Sequence, residues 1–354
     1  MNIVKRTYTA IPGWQDLPTA WGGPCGRGRI RSQAEDFQVS EVLFVEPCGE
    51  GEHCWVHVRK RNSNTQWLAQ QLARFAGVPP SAVSYAGLKD RRAVTEQWFS
   101  IQLPGRPDPD WRGFSSEEFE VLRAERHSRK LKTGALKGNR FALRVRAVEA
   151  AAEGIDQRLR QIAAAGFPNY FGPQRFGHQA SNLAEAERMF ARPRSRLSRH
   201  KRGLYLSAVR SALFNQVLAA RVADASWNRE MSGDVMQLEG KSACFVVEAD
   251  DREIEQRLEA MAVHPTGPLC GDGDGMVGGQ VARYEAEQLQ AYRDWIEGLQ
   301  RFRVAAARRA LRAAPGDLQW RRDGDGSWLL EFFLPAGSYA TSLLREVFDL
   351  DEEA

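Results

Sequence analysis

The chain's most chemically specific stretch sets one carboxylate among cations. In Ser84-Tyr85-Ala86-Gly87-Leu88-Lys89-Asp90-Arg91-Arg92-Ala93-Val94-Thr95-Glu96-Gln97, Asp90 follows Gly87 and Lys89 and precedes Arg91 and Arg92, just ahead of a strand-like run. Neighbouring positive charge favours the ionised form, so Asp90 is expected to remain a carboxylate at neutral pH, able to act as nucleophile or base. A turn aspartate with solvated basic neighbours is the structural alternative, and local chemistry alone favours it.

Two further clusters suit nucleic acid. Gly134-Ala135-Leu136-Lys137-Gly138-Asn139-Arg140-Phe141 is a glycine-spaced basic loop entering a strand. Its backbone amides can approach phosphate, the Asn139 amide can read a base edge, and Phe141 can stack on a base. A hairpin turn with Phe141 in the core is the alternative, supported by the alternation of Phe141, Leu143 and Val145. Asn169-Tyr170-Phe171-Gly172-Pro173-Gln174-Arg175-Phe176-Gly177 interleaves three aromatics with amide and guanidinium groups. That mixture fits flipped or single-stranded bases, or equally an aromatic plug at a domain junction.

Other patterns carry less. His53, Cys54 and His57 are metal-ligand types, but on a period-2 strand Cys54 points away from both histidines. Gly273, Gly275 and Gly278 match the dinucleotide glycine spacing without a preceding strand, with Pro265 and Pro268 just upstream, and read as a loop. No phosphate-binding P-loop, nucleophile elbow or convincing Cys/His pair occurs. The acidic end, with Asp349, Asp351, Glu352 and Glu353, reads as a solvated terminus.

The elements that must hold these groups can be read from periodicity. Residues 36–60 alternate as strands, with Phe37 and Val39, then Cys54, Val56 and Val58 on apolar faces. Asn64 caps a helix carrying Leu68, Leu72 and Phe75 that stops at Gly77. Strands are expected at 94–103, 119–124 and 140–148, the last turning Arg140, Arg144 and Arg146 away from its apolar face. A helix follows at 150–165. The middle of the chain is mostly helical, at 181–190, 207–222 and 283–299, with a Gly/Pro loop at 264–279; strand patterns return at 318–321 and 328–334. The architecture is therefore α+β, a mixed sheet with helices and a helical insertion.

With 354 residues, 43% apolar and 27% charged, the chain has material for about two domains of roughly 150 residues without disulfide or metal staples. No run of about 18 uncharged apolar residues occurs, and the start Met1-Asn2-Ile3-Val4-Lys5-Arg6 lacks a signal-peptide core. Five widely spaced cysteines suit reduced thiols, so a cytoplasmic protein is expected. The net charge is only +4, but its distribution is uneven. One basic zone holds Arg123, Arg126, Arg129, Lys130, Lys132, Lys137, Arg140, Arg144 and Arg146 with Glu125 as its one acid; another holds Arg192, Arg194, Arg196, Arg199, Lys201, Arg202 and Arg210 with none. Either alone could be a solvated face, but together they point to a polyanion.

Taken in order, Glu35-Asp36-Phe37 with Val39 and Glu41, Ala86 to Arg91, Lys137 to Phe141, Asn169 to Gly177, and Leu334-Pro335-Ala336-Gly337-Ser338-Tyr339-Ala340-Thr341 with Arg345 resemble the TruD family of tRNA pseudouridine synthases. Five ordered motifs spanning almost the whole chain make the resemblance specific. It implies a catalytic domain on a mixed sheet, from residues 1–165 and 313–354, interrupted by a largely helical family-specific domain at 166–312. It implies isomerisation of a uridine, typically at position 13 of tRNA, without cofactor or metal. By motif position Asp90 is the catalytic aspartate, and Phe37, Asn139 and Tyr339 line the uridine pocket; many relatives carry Phe where Tyr339 stands. Arg31 falls where a basic pocket residue is expected.

The residue types suit that chemistry. The N1–C1′ bond must break and a C5–C1′ bond form, so a detached uracil must be held. Asp90 could add to C1′, or take a C2′ proton to give a glycal. Phe37 and Tyr339 would sandwich the uracil, Asn139 would bind its imide edge, and Lys89 and Arg31 would keep the carboxylate ionised and bind phosphate. The rival is a non-catalytic RNA-binding or RNA-chaperone protein, which needs no carboxylate amid cations. A nucleotide hydrolase is disfavoured for want of a metal or phosphate motif. No membrane association is expected, and a monomer suffices.

Overall fold

The computed structural model describes residues 11–192, 197–248 and 252–352. The start at Met1, Arg194 and Arg196 of the second basic zone, and Glu353 of the acidic end lie outside the described residues. The chain forms two compact units. One, the sheet unit, comprises Gly26–Ala151, Pro315–Gly337 and Asp349–Ala354; the other, the helical unit, comprises Met1–Cys25, Ala152–Ala314 and Ser338–Phe348.

In the sheet unit the strands are β1 (Gly26–Ile30), β2 (Phe37–Val42), β3 (His53–Arg61), β4 (Val83–Tyr85), β5 (Val94–Gln102), β6 (Phe119–His127) and β7 (Gly138–Glu149), with the hairpin Gly316–Arg322 and Trp328–Pro335. The main order runs from that hairpin through β7, β2, β5 and β3 to β6; β1 and β4 pair on β7 and β5. Along that order the pairings are antiparallel except β2 with β5, so the sheet is mixed, as the alternating patterns implied.

Registers place the same-face residues. Val56 opposes Phe99, Val58 opposes Gln97 and Lys60 opposes Thr95; Val39 opposes both Thr95 and Phe141, and Glu41 opposes Asn139. Paired residues share a face, so one face carries an apolar field followed by a polar row. Over the apolar field lies α1 (Thr65–Phe75), capped by Asn64, whose side chain accepts from the Gln66 and Trp67 amides. Leu68 and Leu72 are fully buried against Val56, Val58, Phe99 and Ile101. Phe75, expected on that buried face, is 40% exposed and leans on the Trp111 and Phe114 rings; Ala69 and Ala73 complete the stripe instead.

The opposite face is knitted by ion pairs. The arginines expected to be offered by β7 are all engaged: Arg140 with Asp317 at 3.3 Å, Arg144 with Asp323 at 2.5 Å and Arg146 with Asp36 at 2.8 Å. Their partners come from distant segments, which periodicity along one strand does not reveal.

The helical unit contains α2 (Ala152–Ala165), α3 (Ser181–Ala191) and α4 (Arg199–Ala223), with shorter helices at Gly279–Gln288 and Arg293–Arg301. It also holds a four-stranded antiparallel sheet of Cys244–Val246, Val235–Leu238, Val263–Leu269 and Ala307–Ala310. The first six residues of the expected Gly/Pro loop are thus strand. Its Pro265 and Pro268 oppose Met236 and Arg308, and proline inside a run is a poor strand signal because it gives up an amide donor. By compactness α2 groups with the helical unit rather than with the sheet, short of the boundary expected at 165. Arg158 explains this: its guanidinium donates to the carbonyls of Gly23 and Glu346, each at 2.5 Å, in segments of the same unit.

Gly138, at the start of β7, opposes Val42 and Pro335. A Cβ there would lie 2.1 Å from the Leu334 carbonyl oxygen and 2.5 Å from the Phe333 ring, so this glycine serves close strand packing rather than phosphate approach. Gly138→Ala should therefore destabilise the protein by about 1–3 kcal/mol, read as a lower urea midpoint. An unchanged midpoint would mean that the strands part there at no cost.

Candidate active site

Asp90 sits on the loop joining β4 to β5, and that loop is tied down at successive residues. The Gln97 amide donates to the Gly87 carbonyl at 3.2 Å. Thr65 at the start of α1 donates its hydroxyl to Gln97 Oε1 at 2.8 Å and accepts from the Lys89 amide at 3.1 Å. Lys60 Nζ reaches the Asp90 carbonyl at 3.0 Å and the Ser63 carbonyl at 2.7 Å. The main chain of Asp90 is thus held by β3, and its flanks by α1 and β5.

The Asp90 side chain remains 41% exposed and pairs with Arg31 Nη2 at 3.2 Å. Arg31 follows β1 with φ of 59°, in the left-handed region that side chains adopt at some cost. Its guanidinium lies 4.1 Å over the Phe37 ring, so one cation touches both the carboxylate and the aromatic. Phe37 is 2% exposed: Arg31 covers its face and Phe141 meets it in a T-shaped contact at 6.4 Å. Arg31 thus closes the Phe37 ring off from solvent.

Lys89 does not share the Asp90 carboxylate. Its ammonium is buried against Glu41 Oε1 at 2.5 Å, and Glu41 Oε2 accepts from the Trp98 amide at 2.9 Å. The charge expected to bind phosphate is thus committed within the fold, while Arg31 makes the pairing expected of both cations. Asn139 lies opposite Glu41 on the same face, and its amide oxygen is buried without a hydrogen-bond partner among the described residues. Phe141 is half-buried and stacked on Phe332 at 5.4 Å, which matches the hairpin reading rather than a free stacking platform.

Tyr339 belongs to the helical unit. Its hydroxyl accepts from Arg175 Nη2 at 2.7 Å and Nε at 3.1 Å, and its ring stands 6.0 Å from Phe171. Tyr170 and Phe171, weighed as stacking platforms, are core residues of that unit. The Phe171 amide donates to Asn215 and its carbonyl accepts from it, at 2.9 and 3.0 Å. Aromatic density reads alike for a base platform and a core; only burial separates the two.

Lys60 is the contributor that the sequence reading missed. It continues the row Cys54, Val56, Val58 on the buried face of β3 and has no exposure. A lysine in phase with an apolar strand face was the available signal. Burial pushes its ammonium down to about 8.

Among the described residues no group of His, Cys, Asp and Glu is arranged to hold a metal ion. Burial also raises the Cys54 thiol to about 12, far from the thiolate a metal needs. Of the first basic zone, Arg123 pairs with Glu46 and Glu125, and Arg126 with Asp108. Arg129, Lys130, Lys132 and Lys137 are exposed. In the second, Arg192, Arg199, Lys201 and Arg202 are exposed, whereas Arg210 is turned inward onto the Leu269 and Ala305 carbonyls.

Comparison with known proteins converges on one family. Residues 20–184 and 179–347 match the family model of tRNA pseudouridine synthase D (TruD). A tRNA pseudouridine synthase D of Methylococcus capsulatus is 51% identical over 342 residues, covering 97% of each chain. One from Aeromonas hydrophila is 45% identical over 338 residues, covering 96% of this chain and 95% of its own. A TruD-type crystal structure from Methanosarcina mazei, 23% identical, superposes with a TM-score of 0.71 over 99% of both chains, which shows the shared fold. With both the family model and close relatives spanning nearly all of it, the chain belongs to the tRNA pseudouridine synthase D family.

Proposed function

We infer that this chain isomerises a uridine of tRNA to pseudouridine, with Asp90 as the catalytic carboxylate and position 13 as its target. The observation that carries the reading is Asp90 itself: a carboxylate left accessible on a loop whose backbone is tied to β3, α1 and β5. A binding protein has no use for it, since an exposed anion opposes phosphate. Fixed geometry of this kind is what an attacking group needs to meet C1′ or the C2′ proton in a near-attack position.

The surrounding residues supply the other requirements. Arg31 neutralises Asp90 in the free protein and caps Phe37; an entering nucleotide phosphate would draw it away, baring the carboxylate and the ring together. Asn139, whose amide oxygen has an unmet acceptor capacity, would receive the uracil N3–H and hold the base while it turns. The N1–C1′ bond breaks, C5 bonds to C1′, and the proton lost from C5 is balanced by one gained at N1. Phe37 would stack on the uracil, with the Phe141 ring set edge-on against it. Lys89 enters through Glu41, holding the strand that carries Phe37, rather than by touching substrate.

The exposed cations Arg129, Lys130, Lys132 and Lys137, and Arg192, Arg199, Lys201 and Arg202, would meet the tRNA backbone. A monomer working in the cytoplasm, without metal or cofactor, accords with this reading. All five cysteines are free, and no described helix is long and apolar enough to cross a membrane.

Incubation with tRNA transcripts carrying C5-tritiated uridine should release tritium from one uridine without added metal or cofactor. Asp90→Asn should bind tRNA nearly as well yet release none; turnover above about a tenth of wild type would remove Asp90 from the chemistry, and tight binding without release by the wild type would favour a binding protein. Asn139→Ala should lower turnover more than affinity, whereas equal losses would make Asn139 a general binding residue. Replacing Arg199, Lys201 and Arg202 together with Ala should reduce the salt slope of tRNA binding by about 2. An unchanged slope would place that helix end off the RNA.

A further inference from the structure

We propose that Lys60 is a positioning residue for Asp90, its buried ammonium clamping the Asp90 main chain to the end of β3. The inference rests on the reading of Asp90 as the catalytic carboxylate and adds the group that aims it.

Three observations carry it. First, Lys60 has no solvent exposure, although it occupies a strand position whose predecessors on that face are Cys54, Val56 and Val58. A buried ammonium is costly unless its donors are used, and a hydrophobic residue would suit the apolar field better. Second, its donors go to two carbonyls, Ser63 at 2.7 Å and Asp90 at 3.0 Å. Ser63 immediately precedes the cap of α1, so one nitrogen ties the helix start and the Asp90 backbone to the same strand. Third, the loop's other ties fall on Ala86, Gly87, Lys89 and Ala93, whereas the Asp90 side chain is 41% exposed and paired with Arg31 on the surface side. If Arg31 leaves when RNA enters, Lys60 still holds the Asp90 main chain.

The charge matters as well as the bonds, because a charge-assisted donor is roughly twice as strong as a neutral one. Two charged groups act on Lys60: Asp90 favours the ammonium and Lys89 opposes it, while burial dominates and sets its titration at about 8. Its strand neighbours Arg59 and Arg61 turn outward to Glu96, Glu120 and Glu35. The facing residues are Thr95 of β5 and Phe119 of β6, and Ser63 ahead of α1 accepts from it, none of them charged. Raising pH through that range removes the positive charge and weakens the clamp in the folded protein.

Lys60→Met keeps the apolar stem and removes donors and charge. With enzyme saturating over tRNA, the single-turnover rate constant should fall by at least about 30-fold, while the tRNA dissociation constant stays within about threefold. Asp90→Asn is measured in parallel. If Asp90→Asn is inactive and Lys60→Met turns over within about threefold of wild type, this proposal fails and the reading of Asp90 stands. If Asp90→Asn retains turnover, the reading fails and takes the proposal with it. Should Lys60→Met not fold, the wild-type profile decides. Its single-turnover rate should fall about three- to tenfold between pH 7 and 9 at constant tRNA affinity, and a flat profile over that range would overturn the proposal.

Discussion

Buried polar groups are costly without partners, and in the sheet unit that cost shapes the loop that carries Asp90. One face of the sheet changes from apolar to polar within a single step along β3, between Val58 and Lys60. On one side of that step α1 covers Val56, Val58, Phe99 and Ile101 and excludes water. On the other, Lys60, Thr65, Gln97, Glu41 and Lys89 are buried with charges or amides that cannot be left unmet. They satisfy each other and the backbone of residues 87–90, and so the polar row becomes a fixture for a loop that would otherwise move. Rigidity at the carboxylate is a by-product of satisfying hydrogen bonds in a dry place.

Sheet order brings the rest to that fixture. β2 lies between β7 and the parallel β5, so Phe37 and Glu41 share a face with Asn139 and Phe141 on one side and with Thr95 and Gln97 on the other. Residues a hundred positions apart in the chain become neighbours because backbone registers fix them. Arg31 then joins the two halves of the local chemistry, cation to carboxylate and cation to ring. The Asp90 carboxylate is thereby paired and the Phe37 ring covered.

Charge in this molecule is spent in two ways. Arg140, Arg144, Arg146 and Arg123 close ion pairs with acids from other segments and so cross-link the sheet's outer side. Arg199, Lys201 and Arg202 stay exposed at the start of α4, where the helix's own positive end repels them.

The sequence alone settled a good deal: the α+β class, strands within 36–60 and at 94–103 and 140–148, the Asn64 cap, the singular position of Asp90, and the family resemblance. These are encoded locally, in period-2 alternation, in capping chemistry and in contiguous motifs. What only tertiary structure decided were the choices of partner. Lys89 takes Glu41 rather than Asp90, Arg31 rests on Phe37, the β7 arginines find Asp317, Asp323 and Asp36, and Tyr170 and Phe171 go to a core. The strand Val263–Leu269 hid behind its two prolines, since a strand can give up single donors when its neighbours supply the remaining pairings. Composition states how many charges and rings a segment has. Which of them remain available to a substrate depends on what the fold sets opposite each one, because a buried charge must be neutralised by whichever group the chain brings within a few ångströms.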